Sequence, residues 1–146
     1  MGDFAAAALA PAPQVSGGFA SWNARWLVDP HTERSARKRA RIAHEVLAGR
    51  PCAIQETHWR PADREAWVHA VPGATVVASY APAGRQGGVA TWPPIGWSVQ
   101  GELDALAGHV LACHARAADG TDWWAASVYA DPAEPRPALE LSLIHI

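Results

Sequence analysis

The chain has 146 residues, of which 49% are hydrophobic, and its 12 Lys and Arg residues nearly balance 14 Asp and Glu residues, for a formal net charge of −2. This composition is typical of one globular domain and excludes a globally basic nucleic-acid-binding protein, so any nucleic-acid contact has to come from a local patch. No apolar run approaches the roughly 20 residues of a membrane span, and the N-terminal segment lacks the features of a secretory signal. We therefore expect no membrane association and an intracellular location, with a nuclear location left open.

The two ends of the chain are predicted to lie outside the fold. Residues 1–18 are rich in Ala, Pro and Gly without periodicity, which predicts a disordered leader. Residues 141–146 (LSLIHI) match, at every position, the translated end sequence of a sequencing adaptor, and we interpret them as an adaptor-derived tail. A genuine amphipathic strand is the alternative, because the segment also shows an alternating pattern. The domain is thus expected to span residues 19–140.

The first elements of the domain form a predicted β-α-β unit. Residues 19–23 (FASWN) are typical of a strand, and a helix is predicted over 33–48, with Thr32 as its N-cap and Gly49 as its stop. The apolar run 52–54 predicts a buried strand that ends at Gln55 and Glu56. Such a crossover normally makes the two strands parallel, with their C-terminal ends at one edge of the sheet, here called the rim. Asn23 and Glu56 are therefore expected to lie close together.

A second helix and a group of strands are predicted for the remainder. The helix begins at Pro61, ends before Pro72-Gly73 and directs Trp67 inward. Four β-type runs then follow, and we predict that they form an antiparallel meander: 74–80, 87–92, 109–115 and 122–130. The turn at 118–120 is expected to join the last two runs as a hairpin. The two cysteines, Cys52 and Cys113, show no metal-type spacing and are predicted to be small buried hydrophobes.

Basic and aromatic residues offer candidate nucleic-acid contacts. The first helix carries five cations, which we interpret as a solvated face away from the rim rather than as a nucleic-acid patch: Arg34, Arg37, Lys38, Arg39 and Arg41. Arg85 and Gln86, in a loop before a strand, are the better candidates for contact with DNA. Five tryptophans could stack on bases, but most are expected to fill the core: Trp22, Trp92, Trp97, Trp123 and Trp124.

Four short motifs stand at the predicted strand ends, in a fixed order. They are SWN at 21–23, AIQETH at 53–58, GGVA at 87–90 and VYA at 128–130. In this order and placement they resemble the endonuclease/exonuclease/phosphatase superfamily, which includes apurinic/apyrimidinic endonucleases and the endonuclease domains of non-LTR retrotransposons. Each motif alone is too short to be specific. The ETHW ending and the GRQGGVA segment look most like the retrotransposon branch.

The resemblance implies a fold, a metal and a set of roles. The family fold is a four-layer α/β/β/α sandwich with Mg²⁺ (or Mn²⁺) at its rim, where Glu56 would be the principal ligand and Asn23 would help to bind metal or phosphate. Tyr129 would position the phosphate through its hydroxyl, and DNA would be the partner. Outside this pattern, a single Glu after a strand is more often an exposed loop residue. His58 is expected to orient the loop, since Mg²⁺ disfavours imidazole.

Two motifs of the family are absent after Tyr129: Gly-Asp-x-Asn and Ser-Asp-His. A complete domain of this kind has roughly 200–250 residues, so we interpret the chain as a truncated, N-terminal part of an α/β sandwich and of a Mg²⁺-dependent phosphodiesterase, inactive alone. We also expect an uncovered apolar inner face and poor solubility. The alternatives are a sphingomyelinase-like or inositol-phosphate phosphatase of the same fold, and a non-enzymatic fragment of a decayed element.

Overall fold

The structure, a computed structural model, describes residues 19–27, 29–82 and 86–130. The predicted leader, the predicted tail and Arg85 lie outside these residues. The strands are β1 (Ala20–Asn23), β2 (Cys52–Gln55), β3 (Val77–Ser79), β4 (Val89–Trp92), β5 (Ser98–Leu106), β6 (Val110–Arg116) and β7 (Asp122–Val128), and the helices are α1 (Glu33–Leu47) and α2 (Pro61–Ala70). Neither helix in this part of the chain is long and apolar enough to cross a membrane.

The predicted β-α-β unit is confirmed. Strands β1 and β2 are parallel neighbours, with Asn23 opposite Gln55. Helix α1 begins after Thr32, whose hydroxyl accepts a hydrogen bond from the backbone N–H of Ser35, as expected of an N-cap. The helix ends at Leu47, and Gly49 follows with a φ of 82°, the left-handed conformation that lets the chain turn back into β2.

Helix α2 is also confirmed, and its tryptophan anchors the segment that follows β2. Trp67 is fully buried, and its ring lies 6.1 Å from that of Trp59 and 6.3 Å from that of Trp92. The indole N–H of Trp59 also donates a 2.8 Å hydrogen bond to the carbonyl oxygen of Leu27. These contacts hold the loops after β1 and β2 against the helical side of the sheet.

The strands form two separate sheets, so the prediction of one meander is partly wrong. One sheet has the order β1-β2-β4-β3, in which β4 pairs antiparallel with both β2 and β3. The other has the order β5-β6-β7 and is an antiparallel meander, whose last two strands are joined by the predicted turn at 118–120. Strand β5 was not predicted. It is mostly exposed and its register shifts twice, so it lacks the alternation that marks a half-buried strand.

Two buried clusters lie on opposite faces of the four-stranded sheet. Consecutive strand residues point to opposite faces, and Ala90 belongs to the cluster formed with helices α1 and α2, whereas Val89 belongs to the other. In that second cluster, Val89 packs with Leu111, Cys113 and Tyr129 of the three-stranded sheet and its C-terminal end. The inner face is therefore covered by the second sheet, and the expectation that it would be uncovered is wrong.

The uncovered apolar side chains of the second sheet lie on its outer face instead. Leu103 is 49% exposed and Trp124 69% exposed. The described residues thus form an α/β arrangement of two helices and two facing sheets. Cys52 and Cys113 are free and buried, as predicted.

Candidate active site

The C-terminal ends of β1 and β2 bring Asn23 and Glu56 to the rim, with Asn23 opposite Gln55, the residue before Glu56. The backbone N–H of Ala24 donates a 2.8 Å hydrogen bond to the carbonyl of Gln55, and that of Trp26 donates a 2.9 Å hydrogen bond to the carbonyl of Glu56. The pairing of the two strands therefore continues beyond their ends. Asn23 is exposed, and its side-chain oxygen accepts a 2.8 Å hydrogen bond from the backbone N–H of Arg25.

Tyr129 reaches the same place from the second sheet. The residue is 8% exposed, and its hydroxyl donates a 2.9 Å hydrogen bond to Oε1 of Glu56. Its backbone N–H donates to the carbonyl of His109 over 2.7 Å, and the two rings stack with centroids 5.6 Å apart. His109, which the sequence did not single out, therefore holds the tyrosine whose hydroxyl points to the rim.

The Gly87-Gly88 pair explains why the GGVA motif needs glycine. The backbone N–H groups of Thr57 and His58 donate to the carbonyls of Gly88 and Gly87 over 3.1 and 2.9 Å. A Cβ added to Gly88 would lie 2.4 Å from Oγ1 of Thr57, and one added to Gly87 would lie 3.7 Å from the Tyr129 ring. A side chain at Gly88 would force the strand away from the loop that carries Glu56, whereas the contact of Gly87 with the ring is an ordinary van der Waals one.

The backbone is strained at this rim. Within the described ranges, the non-glycine residues with positive φ are Arg25 (49°), Trp26 (95°), Glu56 (56°) and His58 (54°). All four lie within three residues of the C-terminal end of β1 or β2. Such conformations cost about 1–3 kcal/mol each and persist where surrounding contacts hold them, commonly at functional sites.

Lys38 supplies some of those contacts, which corrects the interpretation of helix α1. Arg34, Arg37 and Arg41 are exposed as expected, whereas Arg39 is half-buried and donates a hydrogen bond to the carbonyl of Pro30. The ammonium of Lys38, however, donates to the carbonyls of Ala24 and Trp26 over 2.7 and 2.9 Å, so its charge reaches the rim. Burial, with Arg34 nearby, lowers the pKa of Lys38. The sequence signal for this role is that Lys38 is the one lysine of the chain, beside eleven arginines. A compact ammonium suits a site where two carbonyls converge.

The remaining candidates divide between the core and the surface. Trp92 and Trp97 are buried, as expected, whereas Trp124 is exposed and lies over His114 with ring centroids 4.0 Å apart. Trp22 and Trp123 are half-buried. Gln86 is exposed and immediately precedes Gly87, so it stands beside the rim, whereas Arg85 lies outside the described residues. His58 stacks on Trp26, an exposed residue that sequence reasoning missed.

The donor set at the rim suits a hard cation with few protein ligands. In the described part of the chain, no group of three or more His, Cys, Asp or Glu side chains is placed to hold a metal ion. A metal at the rim would therefore rely on the carboxylate of Glu56, the amide oxygen of Asn23 and oxygen atoms from water or substrate. Mg²⁺ is commonly bound in this way, through one or two carboxylates plus waters and phosphate oxygens. The residues present fit Mg²⁺.

Neither a scan of protein-family models nor a search of curated proteins gives a match for this chain. The relationship suggested by the four motifs therefore depends on the motifs themselves and on the place where the chain brings them together.

Proposed function

We propose that this chain provides the metal-binding part of a Mg²⁺-dependent phosphodiesterase of the endonuclease/exonuclease/phosphatase type, and specifically of a retroelement DNA endonuclease. The observation that carries the proposal is the 2.9 Å hydrogen bond from Tyr129 to Glu56. It joins the VYA and QETH motifs at the rim where Asn23 also lies. Gly87 and Gly88 of the GGVA motif lie against the loop that carries Glu56, and Gly87 also lies near the Tyr129 ring. Four motifs that are separate in the sequence thus meet at one place.

Each residue has a role that its position supports. Glu56 and Asn23 would hold Mg²⁺, which when bound polarises the scissile phosphate and stabilises the leaving oxyanion. The hydroxyl of Tyr129 has one proton to donate, so a phosphate oxygen at the rim would compete for it with the Glu56 carboxylate. Tyr129 would therefore orient the phosphate next to the carboxylate. DNA would be the substrate.

The finer fold and the rest of the site are part of the same proposal. The helices, the first sheet and the second sheet would be three layers of an α/β/β/α sandwich. The exposed Leu103 and Trp124, on the outer face of the second sheet, are where we expect a fourth, helical layer to pack. The general base and the phosphate-binding His of the Gly-Asp-x-Asn and Ser-Asp-His motifs would come from a continuation of the reading frame.

The decisive experiment uses that continuation. We expect the locus beyond codon 140 to encode both motifs in frame, and the extended protein to nick supercoiled plasmid only with Mg²⁺ or Mn²⁺. Glu56→Gln should abolish nicking, and the matched change Glu65→Gln, at an exposed position of α2, should leave it intact. Nicking in chelator, or nicking that survives Glu56→Gln, would contradict the assigned site. Stop codons or unrelated downstream sequence would contradict the enzyme, and hydrolysis of a phospholipid or inositol phosphate in place of DNA would change the substrate.

The 146-residue chain permits a second test that needs no activity. Binding of Mn²⁺, followed by the loss of the free-ion electron paramagnetic resonance signal, should weaken at least about tenfold in Glu56→Gln, since the main carboxylate ligand is removed. Glu65→Gln should bind Mn²⁺ as the unaltered chain does.

A further inference from the structure

Trp26 presents its ring to solvent beside the candidate metal ligand. Its side chain is 53% exposed, although it stands only three residues after Asn23. The ring stacks on His58, with centroids 4.7 Å apart and planes inclined by 20°. An exposed tryptophan is not unusual by itself, so the way in which this one is held carries the argument.

The backbone of Trp26 is fixed on both sides in an unfavourable conformation. Its N–H donates to the carbonyl of Glu56 over 2.9 Å, and its carbonyl accepts from the Lys38 ammonium over 2.9 Å. Its φ of 95° is one that a bulky side chain rarely adopts. The chain thus keeps a large apolar ring exposed, in a strained conformation, on the same hydrogen-bonded loops that carry Glu56.

A flat ring with one face on an imidazole and half of its surface open can accept a second planar group. In a nucleic-acid substrate that group is a base, and aromatic side chains bind bases of any sequence through stacking. Arg25, the exposed residue just before Trp26, adds a cation for the phosphate backbone. Bases inside a duplex are already stacked on one another, and unstacking them costs free energy, so an unpaired base is the favoured partner of the Trp26 ring.

We propose that Trp26, supported by His58, is a stacking platform for an unpaired nucleobase next to the phosphate bound at Glu56. The proposal deepens the proposed function and rests on it, because it assigns the substrate class as DNA with an unpaired base beside the cleavage position. Trp26 is then a binding residue that selects the substrate, distinct from the residues that contact the metal.

The chain contains a matched control in Trp124. This residue is 69% exposed and also stacks on a histidine, His114. It lies on the outer face of the second sheet, opposite the face from which Ser127 contacts Gln55. The two tryptophans therefore share exposure and a histidine neighbour but differ in their distance from the rim.

The test measures binding without catalysis. Anisotropy of a labelled single strand of about 12 nucleotides, in chelator, should show affinity at least about tenfold weaker for Trp26→Leu than for the unaltered full chain. Trp26→Phe should retain most of the affinity, and Trp124→Leu all of it. In the unaltered chain, 2-aminopurine fluorescence should be quenched when that base is unpaired and unchanged when it is paired. If Trp26→Leu does not fold, the quenching of unpaired 2-aminopurine by the unaltered chain tests whether an unpaired base stacks on the protein.

The outcomes separate this platform from the proposed enzyme. Full affinity in Trp26→Leu, an equal loss in Trp124→Leu, no binding by the unaltered chain, or no quenching of unpaired 2-aminopurine would each overturn the platform. If the extended protein nicks DNA through Glu56 but Trp26→Leu binds normally, the enzyme stands and the platform fails. If single strands bind through Trp26 but no metal-dependent cleavage occurs, the platform stands and the enzyme fails.

Discussion

The hydroxyl of Tyr129 and the carboxylate of Glu56 are joined by a 2.9 Å hydrogen bond across a sequence separation of 73 residues. Glu56 follows β2 of the first sheet, and Tyr129 follows β7 of the second. The amide of Gln55 lies 3.4 Å from the hydroxyl of Ser127, which gives a second polar contact between the same two chain segments. The candidate site is therefore one of the places where polar groups join the two sheets, as the hydroxyl of Ser79 does with the carboxylate of Asp104.

Removing the Tyr129 hydroxyl should weaken this connection. We expect Tyr129→Phe to lower the free energy of unfolding by about 1–3 kcal/mol, because a half-buried carboxylate loses a donor while the ring remains. Urea denaturation followed by circular dichroism measures the change. The control is Tyr80→Phe, which alters the other tyrosine of the chain, at the edge of the helix-side cluster. Equal effects of the two substitutions would show that the Glu56 contact adds no stability of its own.

The close approach at Gly88 should make replacement of this glycine more destabilising than replacement of a glycine in open space. Gly88→Ala would place a Cβ 2.4 Å from Oγ1 of the buried Thr57 and 3.1 Å from the backbone nitrogen of His58. Gly96 is the matched control, since its φ of 89° is close to the 92° of Gly88 and no atom of the described residues lies within 4 Å of its Cβ position. Gly96→Ala should cost only the backbone strain, about 1–2 kcal/mol.

Gly88→Ala should cost about 1–3 kcal/mol more than this control, because the strand must also move away from the loop. Thermal or urea unfolding of both variants measures the difference. A cost no greater than that of Gly96→Ala would mean that the GG motif is required only for its backbone conformation.

Lys38 should stabilise the loop that follows β1. In Lys38→Met the carbonyls of Ala24 and Trp26 lose a shared donor, and we expect a loss of about 1 kcal/mol of stability, since the contact is only partly buried. Arg37→Met, at an exposed position of the same helix, should change stability little. Faster amide hydrogen exchange at residues 24–27 in Lys38→Met alone would locate the effect. Unchanged exchange there would contradict the role of Lys38 in holding the rim.

The two thiols should be unreactive until the protein unfolds. Burial raises the pKa of Cys113 to about 11 and that of Cys52 further still, and the thiolate is the reactive form. Ellman's reagent at about pH 8 should therefore label neither thiol in the native chain and both in guanidinium, since an exposed thiol titrates near 8.5. Cys113→Ser assigns the response to one residue. Immediate native labelling would show that a cysteine is accessible.

Local patterns in the sequence were sufficient for the β1-α1-β2 unit, for α2 and for the hairpin at 118–120. Their boundaries carry local signals, such as the hydrogen bond from the N–H of Ser35 to the Thr32 hydroxyl. The pattern failed at β5, where exposed residues and two register shifts remove the alternation. It also failed to divide the strands between two sheets, because the partner of a strand is chosen by contacts that are distant in sequence.

The candidate site, too, could be predicted from the sequence only in part. The neighbourhood of Asn23 and Glu56 followed from the sequence, because a β-α-β crossover brings the C-terminal ends of its strands to one edge. Only the tertiary structure decided that Tyr129 donates a hydrogen bond to Glu56 and that the Lys38 ammonium reaches the rim. It also decided that Trp26 is held exposed beside Glu56. Those relationships depend on how two sheets and a helix pack, and side-chain contacts between distant segments leave no periodic signal in the chain that makes them.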